Sequence, residues 1–213
     1  MGTYNKGILG AFSGKVGPVV GASWRGKDVM RSLPKKSNRL PTANQLEQRN
    51  KFALVTSFLT PINAIIKRYF GNNTGTQTRR NAAMSYLIKD ALVFNDPDWE
   101  WDYSKILIAR GELQALEGGV ITPGAGQSVA MTWTDNSVEG NASPTDKLVV
   151  VVYEESAKNT WYSMNLAPRN AGNAILDLPA YTSGLTVHVW ATFATADDAM
   201  AATSQYLGTL VIA

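Results

Sequence analysis

Residues 178–193, LPAYTSGLTVHVWATF, decide the fold. After a Pro and a Ser-Gly turn, Val187, Val189, Ala191 and Phe193 alternate with Thr186, His188, Trp190 and Thr192. Successive side chains of a strand point to opposite faces, so the first set, with Leu185, faces a core and the second an outer face. A tryptophan on the outer face predicts that something covers it, either helices of the same chain or another subunit. The same period of two extends outward from this strand. Segments 119–122, 128–134, 148–153, 161–164, 174–178 and 206–212 read as further short strands between Gly, Pro, Asn and Asp turns, the pattern of an antiparallel sandwich. Just before it, Trp99, Trp101 and Tyr103 alternate with Asp98, Glu100 and Asp102. Ile106 and Ile108 then take the opposite parity, which predicts a bulge near Lys105.

Upstream, the period is helical. Pro41-Thr42-Ala-Asn-Gln45 opens a helix with a capping box, Thr42 as cap and Gln45 three residues on. Val55, Phe58, Leu59, Ile62, Ile65, Ile66 and Tyr69 follow as one apolar stripe, in which Pro61 predicts a kink. Thr78 caps a second helix, with Ala83, Leu87, Ala91 and Phe94 on one face and Met84, Ile88 and Leu92 widening it. Together these form a helical hairpin.

Residues 1–40 differ again. Gly2, Gly7, Gly10, Gly14, Gly17, Gly21 and Gly26 stand among Val, Ile, Phe and Trp, a density no helix tolerates. The segment reads as an extended arm with a hairpin, strands 16–24 and 29–33 turning at Arg25-Gly26-Lys27-Asp28. The expected class is α+β: a β arm with a hairpin (1–40), a two-helix hairpin (41–95), a connecting strand region (96–118) and a β-sandwich that folds as its own unit (119–213).

Two resemblances support this division. Trp133 in SVAMTWTD and Leu178, Val187, Val189 and Ala191 in LPAYTSGLTVHVWATF resemble the core positions of a fibronectin type III-like (immunoglobulin-like) module. Leu185 stands at that family's corner tyrosine, so its hydrogen-bonded corner is missing here. The whole chain, through GILGAFSGKVGPVVGASWRGKDVMRS (7–32), PTANQ (41–45) and the sandwich, resembles a family of functionally uncharacterised Bacteroidetes proteins. That resemblance implies a bacterial or phage-derived source and supplies no activity.

Charge divides the chain. Residues 1–80 hold 14 of the 20 Lys and Arg, with Asp28 and Glu47 their only acids, a balance of +12; residues 81–213 carry −9, leaving the net +3. A basic segment calls for a polyanion, either nucleic acid or an acidic protein surface, and the chain has such a surface on its own other part. The candidate contact residues of the arm are Lys15, Val20, Trp24, Arg25, Lys27, Arg31, Lys35 and Lys36. The candidate acidic docking face is Asp98, Glu100 and Asp102, and the candidate outer sheet face His188 and Trp190.

The remaining motifs are weak. Gly21 to Lys27 has the G-x-x-x-x-G-K spacing of a phosphate loop, but Asp28 replaces the required Ser or Thr and a strand replaces the helix. With no cysteine, there are no disulfides, thiolate metal sites or cysteine nucleophiles. His188, the sole histidine, has no nucleophile-elbow serine to serve. Three carboxylates on one strand face could hold a hard cation, and an aromatic row a sugar, but a solvated face opposite a buried one accounts for both. The reading is therefore not an enzyme, with no cofactor and no metal. It is a structural, self-assembling protein of a filament, tube or phage particle, homo-oligomeric through its arm. A nucleic-acid-binding protein is the first alternative and an adhesion or glycan-binding module the second. No stretch resembles a secretory leader or a membrane span, so synthesis in the cytoplasm is expected, with a phage particle or an extracellular assembly as the alternative final locations.

Overall fold

Glycine and proline cut the N-terminal segment into short strands. The protein is seen here in a computed structural model that describes residues 3–4, 11–24, 26–35, 40–72 and 77–213. Strands β1 (Thr3–Tyr4), β2 (Phe12–Val16), β3 (Val19–Trp24) and β4 (Lys27–Ser32) form one antiparallel sheet in that order. Trp24 pairs with Lys27, which leaves two residues in the turn rather than four; Gly26, at φ +74°, supplies the left-handed conformation. The strand expected over 16–24 is interrupted by Gly17-Pro18, because Val16 already pairs with Val19. Gly21 is required by packing: a Cβ there would collide with the Phe12 carbonyl oxygen and ring. It is the sole buried residue among those described between 11 and 35.

Helix α1 (Ala43–Leu59) begins at the expected capping box, with Gln45 N–H donating to Thr42 Oγ1 (3.4 Å) and Thr42 N–H to Gln45 Oε1 (3.1 Å). Pro61 ends this helix instead of kinking it, because proline has no N–H for the next turn. The stripe continues in α2 (Asn63–Tyr69), so three helices replace the expected two. Helix α3 (Arg79–Asp90) is capped by Thr78, which accepts from Asn81 N–H at 3.2 Å. The apolar stripes interlock, burying Val55, Phe58, Leu59, Ile62, Ile65, Ile66, Ala83, Leu87 and Ala91. Phe94 is not on the α3 face: the chain leaves the helix at Ala91 and enters the hairpin β5 (Leu92–Asn95) and β6 (Asp98–Trp101). In place of the bulge near Lys105 stands a 3₁₀ turn, Tyr103–Lys105.

The seven later strands are β7 (Glu117–Pro123), β8 (Ser128–Thr134), β9 (Lys147–Glu154), β10 (Asn159–Ser163), β11 (Asn173–Asp177), β12 (Thr186–Ala194) and β13 (Gln205–Val211). They form two antiparallel sheets, β11-β8-β7 and β10-β9-β12-β13. Between them lie Val129, Met131 and Trp133 of β8, Leu148, Val150 and Val152 of β9, and Val187, Val189, Ala191 and Phe193 of β12. Leu113 and Leu116 of the preceding segment join this core. The fold is thus α+β with an antiparallel sandwich, and the central strands of the larger sheet, β9 and β12, are buried on both sides. Its second face, with Val149, Val151, Tyr153 and Trp190, packs against the helices in one cluster. A strand covered on both faces has no reason to alternate in polarity, which is why β9 reads Lys-Leu-Val-Val-Val-Val-Tyr-Glu. Among the described residues, neither buried cluster contains one from the N-terminal sheet.

Candidate functional site

Register assigns the arm residues to faces. Lys15 pairs with Val20, Val20 with Arg31, Ala22 with Val29 and Trp24 with Lys27. Directly opposed residues of an antiparallel pair share a face, and residues two apart do as well. One face of the sheet therefore carries Lys15, Val20, Ala22, Trp24, Lys27, Val29 and Arg31, without an acid among them. The other carries Val16, Val19, Gly21, Ser23, Asp28, Met30 and Ser32. Five of the eight candidate residues meet on the first face. Lys35 lies beyond β4, exposed, and Arg25 and Lys36 lie outside the described residues. All of β4 is exposed, with Met30 at 70% and Trp24 of β3 at 60%. The phosphate-loop spacing has no structural counterpart, because Gly21 sits within β3, Lys27 within β4, and no helix follows.

The acidic candidates divide. Val93 pairs with Glu100 and Asn95 with Asp98, so Asp98 and Glu100 share the outward face of the β5–β6 hairpin, where Asn95 Nδ2 donates to Glu100 at 3.1 Å. Asp102 does not join them. It stands at the start of the 3₁₀ turn, 2.8 Å from Lys105 Nζ and accepting from Ser104; the bonds from Lys105 and Ser104 hold its carboxyl below the usual carboxylate range. The hairpin's inner face, Phe94, Trp99 and Trp101, turns toward α1. Lys51 Nζ lies 3.6 Å from the centre of the Trp99 ring, and Phe58 5.2 Å from Trp101. Between the hairpin and α1 lies a groove of about 1050 Å³ lined by Leu46, Ala53, Leu54, Phe94, Pro97 and Trp99, with Glu47, Asp98 and Lys158.

His188 and Trp190 are on the outer face of β12, and that face is covered. Trp190 is fully buried, its ring 5.8 Å from Phe58, and its Nε1 donates to the Tyr103 carbonyl at 3.3 Å. His188 stacks on Tyr103 at 3.6 Å, and its Nδ1 shares a hydrogen bond of 2.8 Å with Tyr206 Oη. Burial pushes its pKa down, against the charge of Glu155, so the ring is neutral at pH 7. The geometry fits a packed aromatic layer.

Two charged clusters escaped the sequence reading. Arg169 is fully buried, donating to Asp146 (3.1 Å), Asn136 (2.7 Å) and the Gln114 carbonyl (2.9 Å) with its guanidinium over Phe193. Its own carbonyl accepts from Trp133 Nε1 at 2.7 Å. Asp198 accepts from Arg68, Tyr69 and Lys147, tying α2 to the sandwich. Burial raises the Asp198 carboxyl, but the bonds from Lys147 and Tyr69 and the charges of Lys147 and Arg68 outweigh it and hold it low. Burial and this carboxylate push Tyr69 up to about 12. A neighbouring cleft of about 390 Å³ is lined by Arg68, Arg79 and Arg110. Arg68 already serves Asp198, Arg79 bonds the carbonyls of residues 67 and 68, and Glu112 lines the same cleft. Among the described residues no group of three or more His, Asp or Glu is placed to hold a metal ion, and no helix is long and apolar enough to cross a membrane.

These features define an α+β protein with a covered sandwich sheet and a separate four-stranded N-terminal sheet whose strand β4 is exposed. Residues 11–208 match a family of unknown function, DUF6266, and the chain belongs to it. Among curated proteins, none matches.

Proposed function

We propose that the protein is a structural, self-assembling subunit whose arm sheet docks on the body of a neighbouring copy. The observation that carries this is the acid-free arm face: Lys15, Lys27 and Arg31 surround Val20, Ala22, Val29 and Trp24 on a sheet with almost no interior of its own. A small sheet gains stability in water by packing one face, and this one has apolar side chains on both. Residues 81–213, at −9, supply an acidic counterpart. The contact joins unlike surfaces, so repetition yields rings or open helices, as in a filament, tube or phage particle. The sandwich is fibronectin type III-like: its three-plus-four strand division and the buried Trp133 support that reading. Its role is to hold the acceptor surface in place.

Sedimentation velocity of the full chain from micromolar to submillimolar concentration tests the proposal. Concentration-dependent oligomers that vanish in Val20→Asp and Trp24→Asp support it; a monomer throughout contradicts it. Docking that is partly electrostatic also weakens as NaCl rises, because exposed charges are screened within about 10 Å at 0.1 M salt. If Lys15→Gln, Lys27→Gln and Arg31→Gln together abolish DNA binding while oligomers persist, the arm is a nucleic-acid contact instead.

A further inference from the structure

We infer that the groove between α1 and the β5–β6 hairpin is the acceptor for the arm sheet of a second copy. This rests on the assembly reading and names its site. The two surfaces match in chemistry: the groove presents Leu46, Leu54, Phe94 and Trp99 with Glu47 and Asp98, and the arm face presents Val29 and Trp24 beside Lys27 and Arg31. From residue 92 to residue 101 the hairpin carries Asp96, Asp98 and Glu100 and no basic residue. Lys158 is the cation that opposes the match, and Lys51, 2.9 Å from Glu47, lies over Trp99.

They also match in size. A strand as long as β4 spans about 20 Å, and the stretch of α1 from Ala43 to Ser57 that lines the groove rises about 21 Å. Ala43 and Ala53 have small side chains, and Leu46 and Phe94 remain about half exposed, at 47% and 52%. Within one chain, the arm residues Val29 and Met30 and the groove residues Leu46 and Phe94 are exposed at the same time, so the arm does not lie in its own groove. The occupant is therefore another copy. Trp24 and Val29 sit over Phe94 and Leu46, with Lys27 and Arg31 toward Asp98 and Glu47. Because each copy has one arm and one groove, the contact propagates head to tail.

The chain has no cysteine, so engineered cysteines report the contact directly. Full-length Val29→Cys and Leu46→Cys proteins, mixed and mildly oxidised, should give a cross-linked heterodimer at least about fivefold above either homodimer. Separately, Asp98→Lys and Lys27→Asp should each weaken association about tenfold, since like charges then meet, and the two together in one chain should restore it to within about threefold. All these positions are at the surface, so folding is checked by an unchanged melting temperature. Oligomers that form without the heterodimer and ignore Asp98→Lys would overturn the groove while leaving assembly through the arm intact. A monomer at every concentration would overturn both. A Val29→Cys/Leu46→Cys double variant that closes within a single chain at high dilution would show fold-back and overturn the second copy as occupant.

Discussion

Strands β4 and β12 are both part of four-stranded antiparallel sheets, yet all six residues of β4 are exposed and eight of the nine in β12 are buried. The difference is one of layers. β12 has the smaller sandwich sheet on one side and the helices on the other, whereas β4 has solvent on both. In the first case packing within the chain accounts for the sequence. In the second the apolar residues Val29 and Met30 have no such account, which makes the arm the part of the molecule whose sequence refers to something outside its own fold.

The comparison breaks most visibly if the covered face proves dispensable. Phe58→Ala or Trp190→Ala should cost about 3–5 kcal/mol, as for other large buried aromatics, and deletion of residues 11–35 should leave the melting temperature of dilute protein almost unchanged. Thermal melts of the three proteins decide it, and equal losses would mean the arm is part of the core. For the same reason a fragment of residues 119–213 should fail to fold as a soluble monomer. It would expose Val149, Val151, Tyr153 and Trp190, and its circular dichroism and gel-filtration behaviour would show this. Asp146→Ala leaves the Arg169 guanidinium buried without its carboxylate and should cost about 3 kcal/mol, measured by urea unfolding.

Smaller effects sharpen the picture. Thr42→Ala removes the side-chain acceptor of the capping box, to which Gln45 N–H donates, while the Thr42 N–H keeps its bond to Gln45 Oε1; it should cost about 1 kcal/mol. The pH dependence has a definite sign. Burial holds the His188 pKa below its unfolded value of about 6.5, so stability contributed by the neutral ring is present above that value and declines as pH falls below it. Asp198, held below the usual carboxylate range, adds a second loss only below about pH 4. His188→Gln should remove the upper decline and leave the lower; urea titrations at about pH 7, 5 and 3 separate them.

What could be read from the sequence follows the range of the interactions. Strand parity in residues 186–193 identified Val187, Val189, Ala191 and Phe193 as core, and Trp190 as a residue in need of cover, because period two is local. Thr42, Gln45 and Thr78 were equally legible, since a cap and its partner are three residues apart. Pro61 predicted a kink, but the helix ends before it and the stripe resumes in α2, a choice that the local sequence does not make. Phe94 continued the α3 periodicity, but its cross-strand pairing with Trp99 places it in a hairpin. Arg169 and Asp146 are 23 residues apart, and no spacing rule links them. The same holds for Asp198, whose partners come from α2 and β9. The candidate arm residues were chosen on charge and apolar content alone, and the meeting of five of them on one face emerges only from the registers of β2, β3 and β4.

The central claim is that the arm sheet is completed by another copy. Hydrogen exchange of the backbone amides in Lys27–Ser32, followed at increasing protein concentration, tests it most directly. The account predicts protection that rises with concentration in β4 and in the α1 and β5–β6 segments together, while β9 and β12 stay fully protected throughout. Fast exchange of β4 that does not change with concentration, under conditions where β12 is protected, would contradict it.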